Sequence, residues 1–550
     1  MQKCKESIIV FAQFPHLRLP MTSSFLVGLK ECLGFRYTDE LSLARQLAFN
    51  VTYLAQRVWQ RKLRELAEKL EKLQLEREEL DYKIIQTQAE YGALYNKTAP
   101  VLNLPIELMC RMFEAAHDAS FIEGIPRNPL IEVTISHVCR EWRAVALSFR
   151  SLWSNFRYNA SQLPKRIPID RLVAYLERSG THPLDLHFSF SESALGEASH
   201  PLFNSMLGKT ISHVDRWRRF SLFSGVDVPM HGFNDRLQWL KAPNLQYFTM
   251  CASSSDPEGG PDSERLTPSV FLRGAPKLFY VRLDGTSFRN YPPPFSNVTV
   301  LRLEDETDAW TFGSFSMFLE LLALPSLSSL SIVGQHFWEP ESPQTLKITM
   351  NSLKHLRYGE DYNFVGYFLP FLVAPLLETL IIKRVTLRPI PNPLPKVTRS
   401  FSKLHSLELI ECSDYDASFI SFLVALTPHV THLTIVDDSG PESMLECVTR
   451  LFLENGIKSW RKLKFLTSSR LDEDHPISPY IDFARMIGNP KLTICTDTGE
   501  WPFDEDDHEN YQILRSMCVL LESLPDKPTI VSWPPGVDVP AEEDFFTIEY

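Results

Sequence analysis

The sequence predicts an α/β protein: a helical N-terminal part to about residue 160, then a solenoid over about 165–495 in which short parallel strands line one curved sheet with helices outside. A phrase reading apolar-x-x-apolar-x-apolar returns ten times between Trp217 and Phe465. From one central residue to the next the step runs from 20 to 33 residues and averages 27, a period typical of stacked repeats. The chain's 550 residues also exceed what one compact core usually holds, unless the architecture grows in one dimension.

Taken from the N-terminus, residues 1–58 show no clear period and read as an extension of unassigned role, with mixed apolar runs at Phe25-Leu26-Val27 and from Leu41 to Phe49. Residues 59–96 read as a charged amphipathic helix. Trp59, Leu63, Leu66, Leu70, Leu73, Arg77, Leu80, Ile84, Thr87, Tyr91 and Leu94 follow 4-3 spacing, and Glu, Lys and Arg fill the other faces. The stripe suits a coiled-coil seam, hence self-association, or a single helix folded back on its own domain.

Residues 100–157 form a different unit. Leu104-Pro105-Ile106-Glu107-Leu108 opens a helix with Pro in its first turn, where a missing N–H costs nothing. Leu108, Met109, Met112 and Phe113 fall on one face. A second run, Val138-Cys139-Arg140-Glu141-Trp142-Arg143-Ala144-Val145, is again helical in pattern, and Ser151-Leu152-Trp153 follows it. These three pieces in order resemble an F-box domain, in the form abundant in mushroom-forming fungi. The Leu-, Glu- and Lys-rich helix upstream, with Arg178-Ser179-Gly180 and Pro183-Leu184-Asp185-Leu186 downstream, matches that family's layout. The motif covers about 50 residues. One departure is the longer run from Phe113 to Val138, where Gly124, Pro126 and Pro129 indicate an inserted loop.

Over 165–495 each phrase reads as one strand. Its last two apolar residues alternate with polar ones, as in Leu407-Glu408-Leu409 and Leu433-Thr434-Ile435. One parallel strand is expected near each of Phe248, Val281, Leu301, Leu330, Leu356, Leu380, Leu407 and Leu433, with looser copies at Trp217-Phe220-Leu222 and Trp460-Leu463-Phe465. Alternation places Leu330 and Ile332 inward and Ser331 outward. Pro243, Pro276, Pro325, Pro375 and Pro428 each stand two residues ahead of a leading apolar position, where they end a helix and favour a turn. Helix-like runs such as 316–324 and 418–426 lie between. The unit resembles a leucine-rich repeat of the irregular kind, without a regular Asn at the turn. Residues 496–550 read as an acidic, Pro-containing region, its end loosely ordered around Trp533-Pro534-Pro535-Gly536 and Glu542-Glu543-Asp544.

Composition narrows the function. With 68 acidic against 56 basic side chains the net charge is −12, which gives no footprint for nucleic acid or an anionic membrane. The most apolar stretch, 364–377, is too short to cross a bilayer and holds Pro370 and Pro375. Nine scattered cysteines without a C-x-x-C pair argue against a disulfide framework or zinc module and for a reducing compartment, cytoplasmic or nuclear. Nucleotide-binding, zinc-protease and nucleophile-elbow motifs are absent, so no catalytic, metal or cofactor-binding residue is assigned. His429 and His432 form no completed metal site, and the acidic run at 504–509 lacks a calcium loop's glycine.

The F-box resemblance implies binding rather than catalysis. Such a module docks on the Skp-type adaptor of a cullin-RING ubiquitin ligase while the repeats hold a substrate protein, whose identity no residue here encodes. By position, the resemblance carries adaptor contact to Leu104, Pro105, Ile106 and Leu108 on the first helix and to Val138, Cys139 and Trp142 on the second. Val138, Trp142 and Phe113 suit the module's own core equally well, and Cys139 suits a buried small hydrophobe. The competing expectation is an interaction scaffold, outside any ligase, whose F-box-like unit only caps the repeats. An enzyme with an unrecognised site on the sheet is a third.

Overall fold

The computed structural model describes residues 38–96, 98, 100–122, 130–160, 168–190, 199–224, 233–252, 266–304, 314–334, 347–360, 365–387, 400–413, 416–436, 444–455, 460–469, 477–496, 508–521, 533–535 and 537. The chain divides into two units, Met1–Asn103 and Leu104–Tyr550. In the first, helix α1 (Thr38–Asn96) runs for 59 residues. It begins well before Trp59 because 41–49 is rich in Leu, Ala, Arg and Gln, which lose little rotamer freedom in a helix. Leu63, Leu66, Leu70 and Leu73 of the stripe are all exposed. Residues 1–37 of the expected extension lie outside the described residues, as do 123–129 of the expected loop, 504–507 of the acidic run and 538–550.

The second unit opens with α2 (Ile106–Ile122), α3 (Ile131–Val138) and α4 (Arg140–Ser148). Helices α2 and α3 flank the expected inserted loop, whose Gly124, Pro126 and Pro129 lie outside the described residues. Among the described residues, fourteen strands then form one open sheet: β1 (Asn155–Asn159), β2 (Leu184–Phe190), β3 (Trp217–Ser224), β4 (Tyr247–Ala252), β5 (Tyr280–Leu283), β6 (Val300–Glu304), β7 (Ser329–Val333), β8 (His355–Gly359), β9 (Thr379–Lys383), β10 (Ser406–Ile410), β11 (His432–Val436), β12 (Phe465–Ser469), β13 (Thr493–Thr496) and β14 (Val519–Leu521). They lie side by side in sequence order, and neighbouring pairs are parallel. Equivalent phrase positions share register, so Leu330, Leu356, Leu380, Leu407 and Leu433 form one row.

A β-turn precedes most of the strands. In the five proline rungs the N–H of the leading apolar residue closes on the carbonyl three residues back: Leu245 to Ala242, Leu278 to Ala275, Leu327 to Leu324, Leu377 to Ala374 and Val430 to Thr427, at 3.1–3.5 Å. Pro thus occupies the second turn position, for which its fixed φ is suited. The third position also carries a signal. Asn244, Asn297 and Ser352 each donate a side-chain hydrogen bond to the turn of the rung before, at Asp215, Pro276 and Pro325, over 2.8–3.0 Å. Asn stands at this position only at 244 and 297, so the turns carry no regular Asn, as expected, and three short polar side chains lace their turns to the one before.

Helices cross between strands where caps allow. Ser314 accepts from the Met317 N–H at the start of Phe315–Leu322, and Asp416 accepts from Ser418 and Phe419 at the start of Ala417–Leu426. The latter buries Phe419, Ile420, Phe422, Leu423, Val424 and Leu426. The inner faces of helices and strands merge into one apolar core extending from Met109 to Cys518.

The strands also reach beyond the expected 165–495. Trp153-x-x-Phe156-x-Tyr158 is itself a copy of the phrase and leads β1, with all three side chains buried. At the other end β13 and β14 pair Ile494 with Leu520, so part of the C-terminal region belongs to the sheet. The phrase at Trp460 shifts by three residues: Leu466, not Leu463, aligns with Leu433, and Phe465 is exposed. Leu330 and Ile332 are buried as expected, but Ser331 is buried too.

Leu380 and Leu407 each sit inside this core at no more than 1% exposure. Replacing either by Ala should cost about 2–5 kcal/mol, read as a lowered midpoint in thermal or urea unfolding. An unchanged midpoint would remove these residues from the core.

Candidate functional site

Three short helices present the residues expected to touch an adaptor. On α2, Met109 and Phe113 face inward, with His117 one turn further, while Leu108 and Met112 point outward. The single apolar face read from the sequence is therefore two faces about 100° apart, one for the core and one for solvent. Pro105 and Ile106 are exposed, whereas Leu104 is half-buried and packs against the core. Val138, at the end of α3, is exposed. Trp142 is half-buried, its ring edge-on to Phe113 at 5.0 Å. Cys139 serves the backbone locally as the N-cap of α4, its Sγ accepting the Trp142 N–H at 3.4 Å. The structure thus leaves Pro105, Ile106, Leu108 and Val138 outward and gives Leu104, Cys139 and Trp142 partly internal roles. Met112 and Leu147, also exposed, were outside the sequence-based set.

Buried polar contacts join these helices to the first rungs. The Trp153 indole donates to the Ala146 carbonyl at 2.7 Å, as Trp217, at the same phrase position, donates to Thr210 at 3.1 Å. Glu132 on α3 is buried and accepts a hydrogen bond from Tyr175 on the helix Pro168–Arg178. Burial, reinforced by the Glu132 carboxylate, pushes the Tyr175 phenol far above its ordinary range. Burial likewise lowers the His117 imidazole, against the opposing pull of Glu132 and Asp118.

A second surface is the face of the sheet opposite the core. There the residue between the last two apolar positions of each phrase is Thr249 on β4, Arg282 on β5, Arg302 on β6, Ser331 on β7 and Arg357 on β8, all at most 1% exposed. The corresponding Ile381, Glu408 and Thr434 of β9–β11 are only half-buried. Glu304 is the hub. Arg302 grips its carboxylate with two hydrogen bonds of 2.8 and 2.7 Å, Arg282 approaches to 3.4 Å, and the Ser331 hydroxyl donates at 2.7 Å. Burial alone raises the Glu304 pKa, but the guanidiniums of Arg302, Arg282 and Arg357 together outweigh it and hold the group at about 2. On β10, burial pushes the Glu408 carboxyl up, against the pull of Arg357.

Two described side chains from the C-terminal region reach this face. The Trp533 ring lies over the Arg357 guanidinium at 4.6 Å. Val537 packs against the pair Tyr280 and Val300, and its N–H closes a turn on the Pro534 carbonyl at 3.2 Å. The expectation of a loosely ordered end around Trp533 is corrected: Trp533 and Pro534 are buried.

Along one edge of this face the residue after each of β7 to β10 turns left-handed: Gly334, Glu360, Arg384 and Glu411, with φ of 94°, 57°, 49° and 50°. Each donates its N–H to the next rung over 2.6–2.9 Å. Arg384 pairs with Glu360 at 3.4 Å and Glu411 at 2.5 Å. Three non-glycine residues in this conformation carry strain on the order of 1–3 kcal/mol each. Among the described residues, no group of three His, Cys, Asp or Glu side chains is placed to hold a metal ion, and no helix is long and apolar enough to cross a membrane.

Glu304 has an acid signature. Its folded pKa lies below the ordinary 4.5, so its contribution is complete above about pH 4.5 and is lost as the pH falls towards 2. Glu304→Gln should cost about 3–5 kcal/mol at neutral pH, because it leaves buried guanidiniums without their carboxylate. Stability of that variant should also vary less than the parent's between pH 4.5 and 2, measured by urea unfolding.

Neither a protein-family model nor a curated protein matches the chain.

Proposed function

We propose that this chain is the substrate-recognition subunit of a cullin-RING ubiquitin ligase. In this reading its helical unit is an F-box-like module that docks on a Skp-type adaptor. Its strands form an irregular leucine-rich-repeat solenoid that holds a substrate protein, and it works in the cytoplasm or nucleus. One observation carries the reading. Of the ten exposed large apolar side chains among the described residues from Leu104 onward, five belong to α2–α4: Ile106, Leu108, Met112, Val138 and Leu147. The same helices close their own core with Met109, Phe113, Ile135 and Val145, so these outward residues are surplus to folding and available to a partner.

The capping alternative has its own support in the Glu132–Tyr175 and Trp153–Ala146 contacts, which bind the helical unit to the first rungs. A cap needs no exposed apolar side chains, and adaptor binding separates the two readings. The parent chain should retain purified adaptor in a direct binding assay. Leu108→Ala combined with Met112→Ala should weaken capture at least tenfold with an unchanged melting temperature. These two test the surface more cleanly than Leu104, whose loss also disturbs the core. A folded parent that fails to bind leaves the capping function in place.

Self-association through α1 is a further part of the proposal, supported by exposed Leu63, Leu66, Leu70 and Leu73 at heptad spacing. Sedimentation should report a dimer for the parent and a monomer for Leu66→Glu with Leu73→Glu. A monomeric parent would discard it.

A further inference from the structure

The burial of the sheet's polar face is uneven, and the C-terminal segment marks where it is greatest. Thr249, Arg282, Arg302, Ser331 and Arg357 are sealed, while Ile381, Glu408 and Thr434 on the following strands stay half-open. A face of alternating polar residues does not seal itself; something must lie on it. Trp533 lies over β8, stacked on Arg357, and Val537 lies at β5 and β6 against Tyr280 and Val300. Strands about 4.8 Å apart put these contacts roughly 10–14 Å from one another, which the segment 533–537 spans with the turn from Val537 to Pro534.

We propose that the segment 533–537 is an internal ligand: it holds the site at which a partner protein binds through an aromatic residue followed directly by proline, with an aliphatic residue a turn later. The proposal rests on the reading of the sheet as the partner-holding part of the chain. Its chemistry is specific. A flat ring over a guanidinium gains a cation–π contact that strengthens as water leaves. Proline next to the ring limits the conformations the segment gives up on docking. The aliphatic side chain fills the patch formed by Tyr280 and Val300. Covalent attachment gives the segment an effective concentration in the millimolar range, so a free partner engages only by outcompeting a tethered copy of its own motif.

The experiment uses the full chain and a fluorescent peptide of residues 530–540. The double variant Trp533→Ala with Val537→Ala should bind the peptide at least tenfold tighter than the parent does, by fluorescence anisotropy. The same peptide carrying Trp533→Ala should not bind. A second measurement needs no variant: excess unlabelled peptide should speed hydrogen exchange over 533–537 in the parent, detected by mass spectrometry. Equal affinity for parent and variant overturns the proposal. So does a variant with the parent's circular dichroism that ignores the peptide. If the variant does not fold, unchanged exchange in the parent is the refuting result. Adaptor capture is scored separately, so loss of the ligase reading and loss of the internal ligand are distinguishable.

Discussion

A parallel strand inside this sheet leaves no edge group idle, because its two rows of N–H and C=O groups are taken by the strands before and after it in sequence. That constraint organises the second unit. Each rung must present its apolar row at the height of its neighbours', or Leu330, Leu356, Leu380, Leu407 and Leu433 would not stack. The five proline turns start their strands at a fixed point, and Asn244, Asn297 and Ser352 tie three of the turns to the one before. Connections between rungs are then free to vary, and they do: Ala417–Leu426 is a capped helix, whereas Val365–Phe368 is barely one turn.

The polar face obeys a different physics. Burying Arg282, Arg302 and Arg357 together is unfavourable unless an anion answers them. Glu304 does so, with Ser331 supplying a further hydrogen bond to the carboxylate. The aromatic ring of Trp533 covers Arg357 without removing its charge. The sealed part of the face is thus centred on one carboxylate, and its cover is contributed from about two hundred residues further along the chain.

Most of the strands were legible because their signal is local. Two alternating apolar residues behind a leading apolar position suffice to place β4 to β11, and a proline turn reinforces the signal at β4, β5, β7, β9 and β11. The first strand carries the same phrase at Trp153, Phe156 and Tyr158, but Leu152-Trp153 also reads as the close of the helical motif, and that reading hid it. The strand β13 lacks the leading apolar residue, with Lys491 at its place ahead of Ile494, and β14 has Met517 there but no second apolar residue after Leu520, where Glu522 stands. Burial of Ser331 was not legible at all, since it depends on tertiary cover that alternation cannot express. On the helical unit, residue types indicated the apolar positions, but only packing separates Leu108 from Met109, or assigns Cys139 to a cap.

The buried joint between Glu132 and Tyr175 has a geometric consequence. With the helical unit fixed to the first rung, any point on the sheet lies at a distance from α2 that is counted in strands, roughly 4.8 Å apiece. Gain or loss of one strand with its connection would shift α2 relative to any point further along the sheet by a whole increment and leave the side chains of both untouched. Reach, in such a molecule, is a digital property, set by the number of strands and insulated from substitutions of single surface side chains.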